Sequence, residues 1–497
     1  MRLNVKQIAA CTGGSFVVDP ADASALITGL TWDSRTVCKG DVYVALPGER
    51  VDGHEFIAPA LSAGASAVLT MQVIDAEVTR AAQEAGAAII EVPDTAHAIT
   101  DLAREWRRHL KGRVIGVTGS VGKTTTKNLI RDVLSRAFTT TATAGNQNNE
   151  LGVPKTILSA EADTQMVVVE MGMCDRGEIA ELCSFVRPDW GVITTVGESH
   201  IEILGSRENI ARAKTELFEA LPEGCGRAFM NAACDFADFI VEESHLESRR
   251  VLHVSFDGSK LARDRRNAAS PLDGPAVWAE DVVLDEMGRA HFRMHASGFG
   301  VPGVHGAPAD ESVACVLNVR GAHNVSNACA AAAVGLAAGM SLADIADALS
   351  QARPEAGRQE LIAAPGGFTV INDAYNASPD SMQASLSMFC SLSVSGHRIA
   401  VLGNMGELGQ FARDGHERVG RFVAELPVDR MICVGELASV LADAAETAGM
   451  DARCICRVRT VDEALAEVRA YVRPGDAVLV KASHFMELTR VVKGLVD

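Results

Sequence analysis

Six consecutive residues, Gly119-Ser120-Val121-Gly122-Lys123-Thr124, have the make-up of a phosphate cradle. They follow the apolar run VIGVT, and a helix is expected to open on Thr124 to Thr126, so they read as a turn between a strand and a helix. Backbone N–H groups at such a turn, and at the helix N-terminus behind it, surround an anion. Lys123 then offers a point charge to the β and γ phosphates. The Thr124 hydroxyl offers an oxygen to Mg2+, with Thr125 next along the same helical turn. The stricter form of this pattern places glycine where Val117 stands, so the loop is a GxxGKT variant. It indicates a nucleotide and is silent about the reaction.

Three more side chains have types and positions suited to chemistry beside phosphates. Glu170 ends the apolar run MVVVE, and a parallel sheet presents such residues to its ligand crevice. A carboxylate there can hold a metal, or merely form an ion pair or cap a helix. His200 closes WGVITTVGESH at a comparable sheet edge, where a packed or surface histidine is the plainer alternative. Lys214 follows one amphipathic helix later, in NIARAKTELF, a setting in which lysines are ordinarily solvated.

Such groups need a frame. DVYVALPG, AVLT and AIIEVP are strand-like, and Ile99 to Lys111 is helical, which places a boundary after residue 108. RVIGVTG, MVVVEMG, WGVITTVG, RAFMN and VLHVSF then recur with helical stretches between several of them, a doubly wound pattern. From Asp257 to Ser312 the periodicity weakens, and irregular strands and loops are expected. A small-residue helix follows from Asn324 to Ala338. Beyond Pro354, FTVINDA, RIAVLGNM, RMICVG and AVLVKAS indicate a second Rossmann-type sheet. The expectation is an α/β chain of three domains: a small N-terminal α/β domain at 1–108, a central P-loop ATPase-like domain at 109–352, and a C-terminal Rossmann-like domain at 353–497.

Composition narrows the partners. The 497 residues carry 46 Lys and Arg against 64 Asp and Glu, a formal net charge of -18, with only 5% aromatics. Neither a phosphate backbone nor a base-stacking surface is favoured by that balance, so no nucleic acid is expected. The start of the chain lacks an apolar run of signal-peptide length, and no stretch reaches a bilayer span of about 20 residues, so membrane insertion is not expected. Twelve scattered cysteines without a CxxC pair suit reduced thiols. The expectation is a cytoplasmic protein, and a monomer.

TGSVGKTT, VVVEMG and GESHIEILGSRENIARAKTELF, in that order, resemble the Mur ligase family, which joins amino acids or peptides to the cell-wall precursor. The resemblance runs over nearly the whole chain, weakest from Asp257 to Ser312. It implies an ATP-dependent ligase that joins D-alanyl-D-alanine to UDP-N-acetylmuramoyl-tripeptide through an acyl phosphate. In DSRTVCKGDVYVALPGERVDGHEFI, Ser34 and Arg35 would meet the UDP end, although a surface turn would read the same, and Asp52-Gly53-His54 is equally a turn and cap. In AGNQNNELGVPKTIL, Asn146, Asn148 and Asn149 would face sugar or peptide. RGAHNVSNACAAAAVGL would bring Asn324 to the adenine, and Arg358 would cross from the third domain to the phosphates. By the same resemblance Asp373, Tyr375 and Asn376 would belong to a nucleotide-contacting loop, while VLGNMGELG and VKASHFMEL would face the dipeptide.

The same resemblance implies a catalytic set of Lys123, Glu170, His200, Lys214 and Arg358. One Mg2+ would sit on Thr124 and Glu170, and a second near His200 with Lys214 carbamylated. Four residues depart from the family pattern: Thr195 stands for Asn, Asn404 for Asp, and Ala482 and His484 for the Gly and Arg of VKGSR. A sister ligase adding the third-position amino acid, a nucleotide-binding scaffold without catalysis and a small-molecule kinase are the competing readings. Whether the tripeptide ends in diaminopimelate or lysine stays open.

Overall fold

The computed structural model describes residues 1–48, 51–267, 270–299 and 310–497. They form two compact units. The first comprises Met1–Gly116, Phe138–Gly172 and Ile179–Trp190; the second comprises Val117–Ala137, Met173–Glu178 and Gly191–Asp497.

In the first unit five strands lie in the spatial order Ser15–Val18, Ala88–Glu91, Ala67–Thr70, Asp41–Val44 and Gly29–Thr31. Only the pair Ser15–Val18 with Ala88–Glu91 is antiparallel. Tyr43, Val68, Ile89, Ala60 and Leu61 form the core of this layer. The expected helix after it runs Thr95–Arg107, begun by Asp94, whose carboxylate accepts from His97 N–H. It packs on the helix Gly152–Ser159, and the Trp106 indole N–H donates to the Ala160 carbonyl at 2.8 Å. Met166–Glu170 pairs in parallel with Thr140–Ala142 and is buried along its whole length.

The second unit holds the helix Lys123–Leu134, packed against Asn324–Ala337. Ala328 to Val334 are almost solvent-free on every side, which suits a helix with no polar face. At Gly335 a Cβ would stand 2.8 Å from Val133 Cγ1 and 3.0 Å from Ile345 Cδ1, so a missing side chain sets this approach. Arg227–Asn231, Leu252–Asp257 and Ala276–Leu284 run parallel.

Where irregular structure was expected, the chain instead builds regular antiparallel β-structure. Ala276–Leu284 pairs with Arg289–Ser297, and that strand with Glu311–Arg320; residues 268–269 and 300–309 of the stretch lie outside the described residues. The pattern was there with a period of two. Ala290, Phe292, Met294 and Ala296 are buried and alternate with Arg289, His291, Arg293 and His295, whose charge and polarity suggested a loop. Asp285 makes the turn, accepting from the N–H groups of Met287 and Arg289 ahead of Gly288 at φ +74°.

The last sheet has the order Glu360–Ala363, Thr369–Asn372, Ala477–Lys481, Arg398–Gly403, Arg430–Val434 and Ile455–Val458, parallel except for the first pair. The four expected strands are present. Glu360–Ala363 and Ile455–Val458 at the two edges escaped notice because they are short and half-exposed.

Candidate active site

The phosphate loop joins the strand Arg113–Thr118 to the helix Lys123–Leu134, which begins at Lys123, one residue before the expected Thr124. Gly119 has φ +148°, and a Cβ there would collide with the Thr194 hydroxyl. Gly122 has φ +89°, and a Cβ there would stand 2.8 Å from Asn327 Oδ1. Both glycines are therefore dictated by backbone angle and by space. Ser120 N–H donates to the Thr195 carbonyl at 2.9 Å, and Val121 N–H donates to Thr195 Oγ1 at 3.1 Å. Thr195 departs from the family pattern, yet its hydroxyl clasps the loop. Lys123 Nζ donates to the carbonyls of Gly119 at 2.6 Å and Ser120 at 3.3 Å, so its charge lies over the turn. Thr124 is buried at the head of the helix.

Behind the loop, Thr126 Oγ1 donates to Asn327 Oδ1, and Asn327 Nδ2 donates to Asn324 Oδ1. Asn324 Nδ2 in turn donates to the Arg320 carbonyl and lies 3.1 Å from His323 Nε2. Asn324 thus stands at the start of its helix, tied through Asn327 to the helix bearing Lys123.

Lys214 sits on Arg207–Glu219, a helix begun by Ser206, whose hydroxyl accepts from Asn209 N–H. Only 2% of it is exposed. Burial, reinforced by the Lys123 charge nearby, pushes its ammonium well below the usual lysine range. The solvated lysine of the plainer reading is excluded. His200 takes the left-handed conformation at φ +63°, and its Nδ1 is 3.0 Å from Glu407 Oε2. That close contact holds the Glu407 carboxyl below the ordinary glutamate range. Two residues earlier, Glu198 receives both guanidinium nitrogens of Arg418, at 3.0 and 2.5 Å.

Arg358 lies over the Tyr375 ring at 4.5 Å, and His484 also neighbours that ring, 5.9 Å between centroids. Asp373 is largely buried and accepts from Lys481 Nζ at 2.7 Å; the same ammonium donates to the Asn376 carbonyl at 3.0 Å. Asn404 Oδ1 accepts from Ala438 N–H in the first turn of the helix Glu436–Thr447. Ala482 is solvent-free and so close to Gly403 that a Cβ there would stand 2.6 Å from its own. Asn404 and Ala482 therefore serve the frame, while His484 is exposed.

In the first unit Glu170 is solvent-free, with Oε1 accepting from Asn148 Nδ2 at 2.9 Å and its N–H donating to Thr143 Oγ1. Asn149 Oδ1 accepts from Gly152 N–H, and Asn146 is exposed in the turn before it. Arg35 is folded onto Asp33, with Nε and Nη2 at 2.8 and 2.7 Å, beside Ser34 in one short turn. Lys155 lies 4.5 Å over the neighbouring Trp32 ring, which brings this turn towards the asparagine segment. Asp52 and His54 form a turn: His54 Nδ1 is 2.6 Å from Asp52 Oδ1, and Nε2 accepts from Met71 N–H.

Arg418, Glu407 and Asn327 are structural partners that sequence reasoning missed. Glu407 lies inside the quoted VLGNMGELG, but no spacing rule pairs it with a histidine two hundred residues away. Among the described residues, no group of three or more His, Cys, Asp or Glu forms a ready metal cluster, and no helix is long and apolar enough to cross a membrane. The Mg2+ donors expected here include a hydroxyl and a modified lysine, so such a cluster is not required of them.

Three family models match in succession: the Mur ligase family catalytic domain at residues 26–107, the Mur ligase middle domain at 117–335, and the Mur ligase glutamate ligase domain at 357–484. A UDP-N-acetylmuramoyl-tripeptide--D-alanyl-D-alanine ligase of Mycobacterium tuberculosis is 36% identical, over 100% of this chain and 98% of its own. The crystal structure of MurF from Acinetobacter baumannii superposes with a TM-score of 0.80 at 30% identity, covering 100% and 99%. MurF from Thermotoga maritima in complex with ADP superposes at 0.71 with 26% identity, covering 94% and 97%. With this α/β architecture, these three domains and this coverage, the chain belongs to the Mur ligase family.

Proposed function

We propose that this chain is the ligase of peptidoglycan precursor synthesis that joins D-alanyl-D-alanine to UDP-N-acetylmuramoyl-tripeptide, with ATP converted to ADP and phosphate. The observation that carries the reading is Lys214, a buried lysine held towards its neutral form within electrostatic reach of the phosphate-loop lysine. Full-length similarity to enzymes of that name supports the choice of substrates. Residues 1–108 would receive the UDP end, 109–352 the ATP, and 353–497 the dipeptide.

A carboxylate and an amine do not condense in water, because hydroxide is a poor leaving group. Transfer of the γ-phosphoryl group to the peptide carboxylate gives an acyl phosphate, which the dipeptide amine attacks; the tetrahedral intermediate then expels phosphate. The protein's part is positioning and charge neutralisation. Lys123 and the loop N–H groups from Gly119 to Thr125 would hold the phosphates, with Arg358 reaching them from the third domain. Asn324 would meet the adenine, while Asp373, Tyr375 and Asn376 line the nucleotide. Ser34, Arg35, Asn146, Asn148 and Asn149 would contact the UDP-linked substrate.

The donor chemistry fits hard cations. Thr124 and Glu170 offer oxygen, and His200 presents a ring whose Nδ1 is already engaged by a carboxylate, the usual arrangement behind a metal-binding imidazole. A lysine held towards its neutral amine is also the form that adds CO2, so a carbamate on Lys214 would complete the set. Bound there, Mg2+ would neutralise charge developing on the transferred phosphoryl group.

Phosphate release with UDP-N-acetylmuramoyl-tripeptide and a panel of amines tests the reading. Release that needs both the tripeptide and D-alanyl-D-alanine is expected. Release with a single amino acid and the shorter UDP-muramoyl dipeptide would instead make the chain a sister ligase, and release independent of any amine would remove it from the ligases.

A further inference from the structure

The segment around Glu407 is held more tightly than a surface loop requires. Met405 N–H donates to Nε2 of the solvent-free His416 at 3.0 Å, and Gly406 N–H donates to Ser483 Oγ at 2.9 Å. The Glu407 carbonyl accepts from Glu202 N–H at 3.3 Å, and Gly409 lies so close that a Cβ would stand 2.8 Å from Glu202 Cγ. At the meeting point both His200 and Glu407 are left-handed, φ +63° and +61°, a conformation costly for residues with a Cβ unless their surroundings hold it. There His200 Nδ1 lies 3.0 Å from Glu407 Oε2.

We propose that Glu407 is a positioning residue for His200: its carboxylate, 3.0 Å from Nδ1, favours the proton on Nδ1 and leaves Nε2 as the ring's acceptor. A histidine that binds a cation ordinarily donates its other ring N–H to a carboxylate, and this partner sets ring orientation and basicity. Here the carboxylate comes from the acceptor-binding part of the chain, so the metal-binding ring is correctly oriented only while that part is in place. The proposal rests on the reading of His200 as a metal ligand.

Mn2+ is the probe, titrated by electron paramagnetic resonance into the full-length protein with a non-hydrolysable ATP analogue, alongside the 15N shifts of the His200 ring. Glu407→Ala is expected to weaken the His200-dependent Mn2+ about 10- to 100-fold and to mix the tautomers. In Glu407→Gln the amide oxygen still accepts from Nδ1–H, and most of the affinity should return. Because more than half of the Glu407 side chain is exposed, neither change should unfold the protein, which a melting curve checks. Wild-type Mn2+ binding in Glu407→Ala together with its loss in His200→Gln would overturn the positioning role and leave the ligase reading intact. Wild-type binding in His200→Gln would remove His200 from the metal site and the proposal with it.

Discussion

Around the phosphate loop the frame is steric, whereas around the loops of the C-terminal sheet that carry Asn404 and Ala482 it is exchangeable. Gly119 and Gly122 tolerate nothing larger, and Thr194 and Asn327 stand where a Cβ would go. By contrast Asn404 caps a helix with an oxygen that aspartate would supply equally well, and Ala482 fills a space that glycine would leave open. The difference suits the placing of three of the four departures from the family pattern, Asn404, Ala482 and His484, in the C-terminal sheet's loops, while the fourth, Thr195, keeps its grip on the phosphate loop. Those loops can hold the same backbone in several ways, while Gly119 and Gly122 leave the phosphate loop little room.

The largest expected effect lies at neither frame but on the chemistry between them. Lys214→Ala should abolish ligation, and short carboxylic acids should partly restore it by replacing the carbamate oxygen; full activity in the variant, measured by phosphate release, would exclude the role. Gly119→Ala comes next. Overlap and backbone strain together should cost at least about 2 kcal/mol, read by denaturant unfolding, with loss of ATP-dependent turnover. If the variant kept wild-type stability, the steric account of the loop would fail. Arg358→Ala should lower kcat about 10²–10³-fold, as for removal of one preorganised charge, while the lost contact with Tyr375 costs stability only about 0.5–1 kcal/mol. Equal losses of folding and turnover would make Arg358 a structural residue.

Acid should find the acceptor frame first. Burial lowers the pKa of His416 below its ordinary 6.5, and Nε2 must stay unprotonated to accept from Met405 N–H. In the unfolded chain the imidazole takes up a proton below about pH 6.5 and the folded one does not, so this contribution is whole above that pH. It falls by up to about 1.4 kcal/mol per pH unit below it, until the folded group titrates. His416→Gln should flatten that limb of the stability profile; an unchanged limb would assign the acid sensitivity elsewhere. The smallest effect is expected of Asn404→Asp. A carboxylate at that helix N-terminus should add about 0.3–1 kcal/mol and leave turnover close to wild type, and a marked loss of activity would mean that Asn404 does more than cap.

The same contrast explains what was legible from residues alone. The phosphate loop announces itself because steric necessity leaves few sequences, and the buried strands before it are continuous apolar runs. The resemblance to the Mur ligases located Lys214, which physical reasoning alone would have left in solvent. Contacts such as His200 with Glu407 or Glu198 with Arg418 join segments some two hundred residues apart, and no local period carries that information. The antiparallel strands after Asp257 were hidden for another reason: their outward faces carry Arg and His, so the alternation looked like a polar loop.

Gly335 gives the close packing behind the phosphate loop a consequence for how this protein can change. The helix that carries Lys123 rests on the bare backbone of its neighbour at this one point, 2.8 Å from where any side chain would begin. A position at the opposite end of that helix from Lys123 therefore bears on how the helix is seated. A larger residue there must displace Val133 or Ile345.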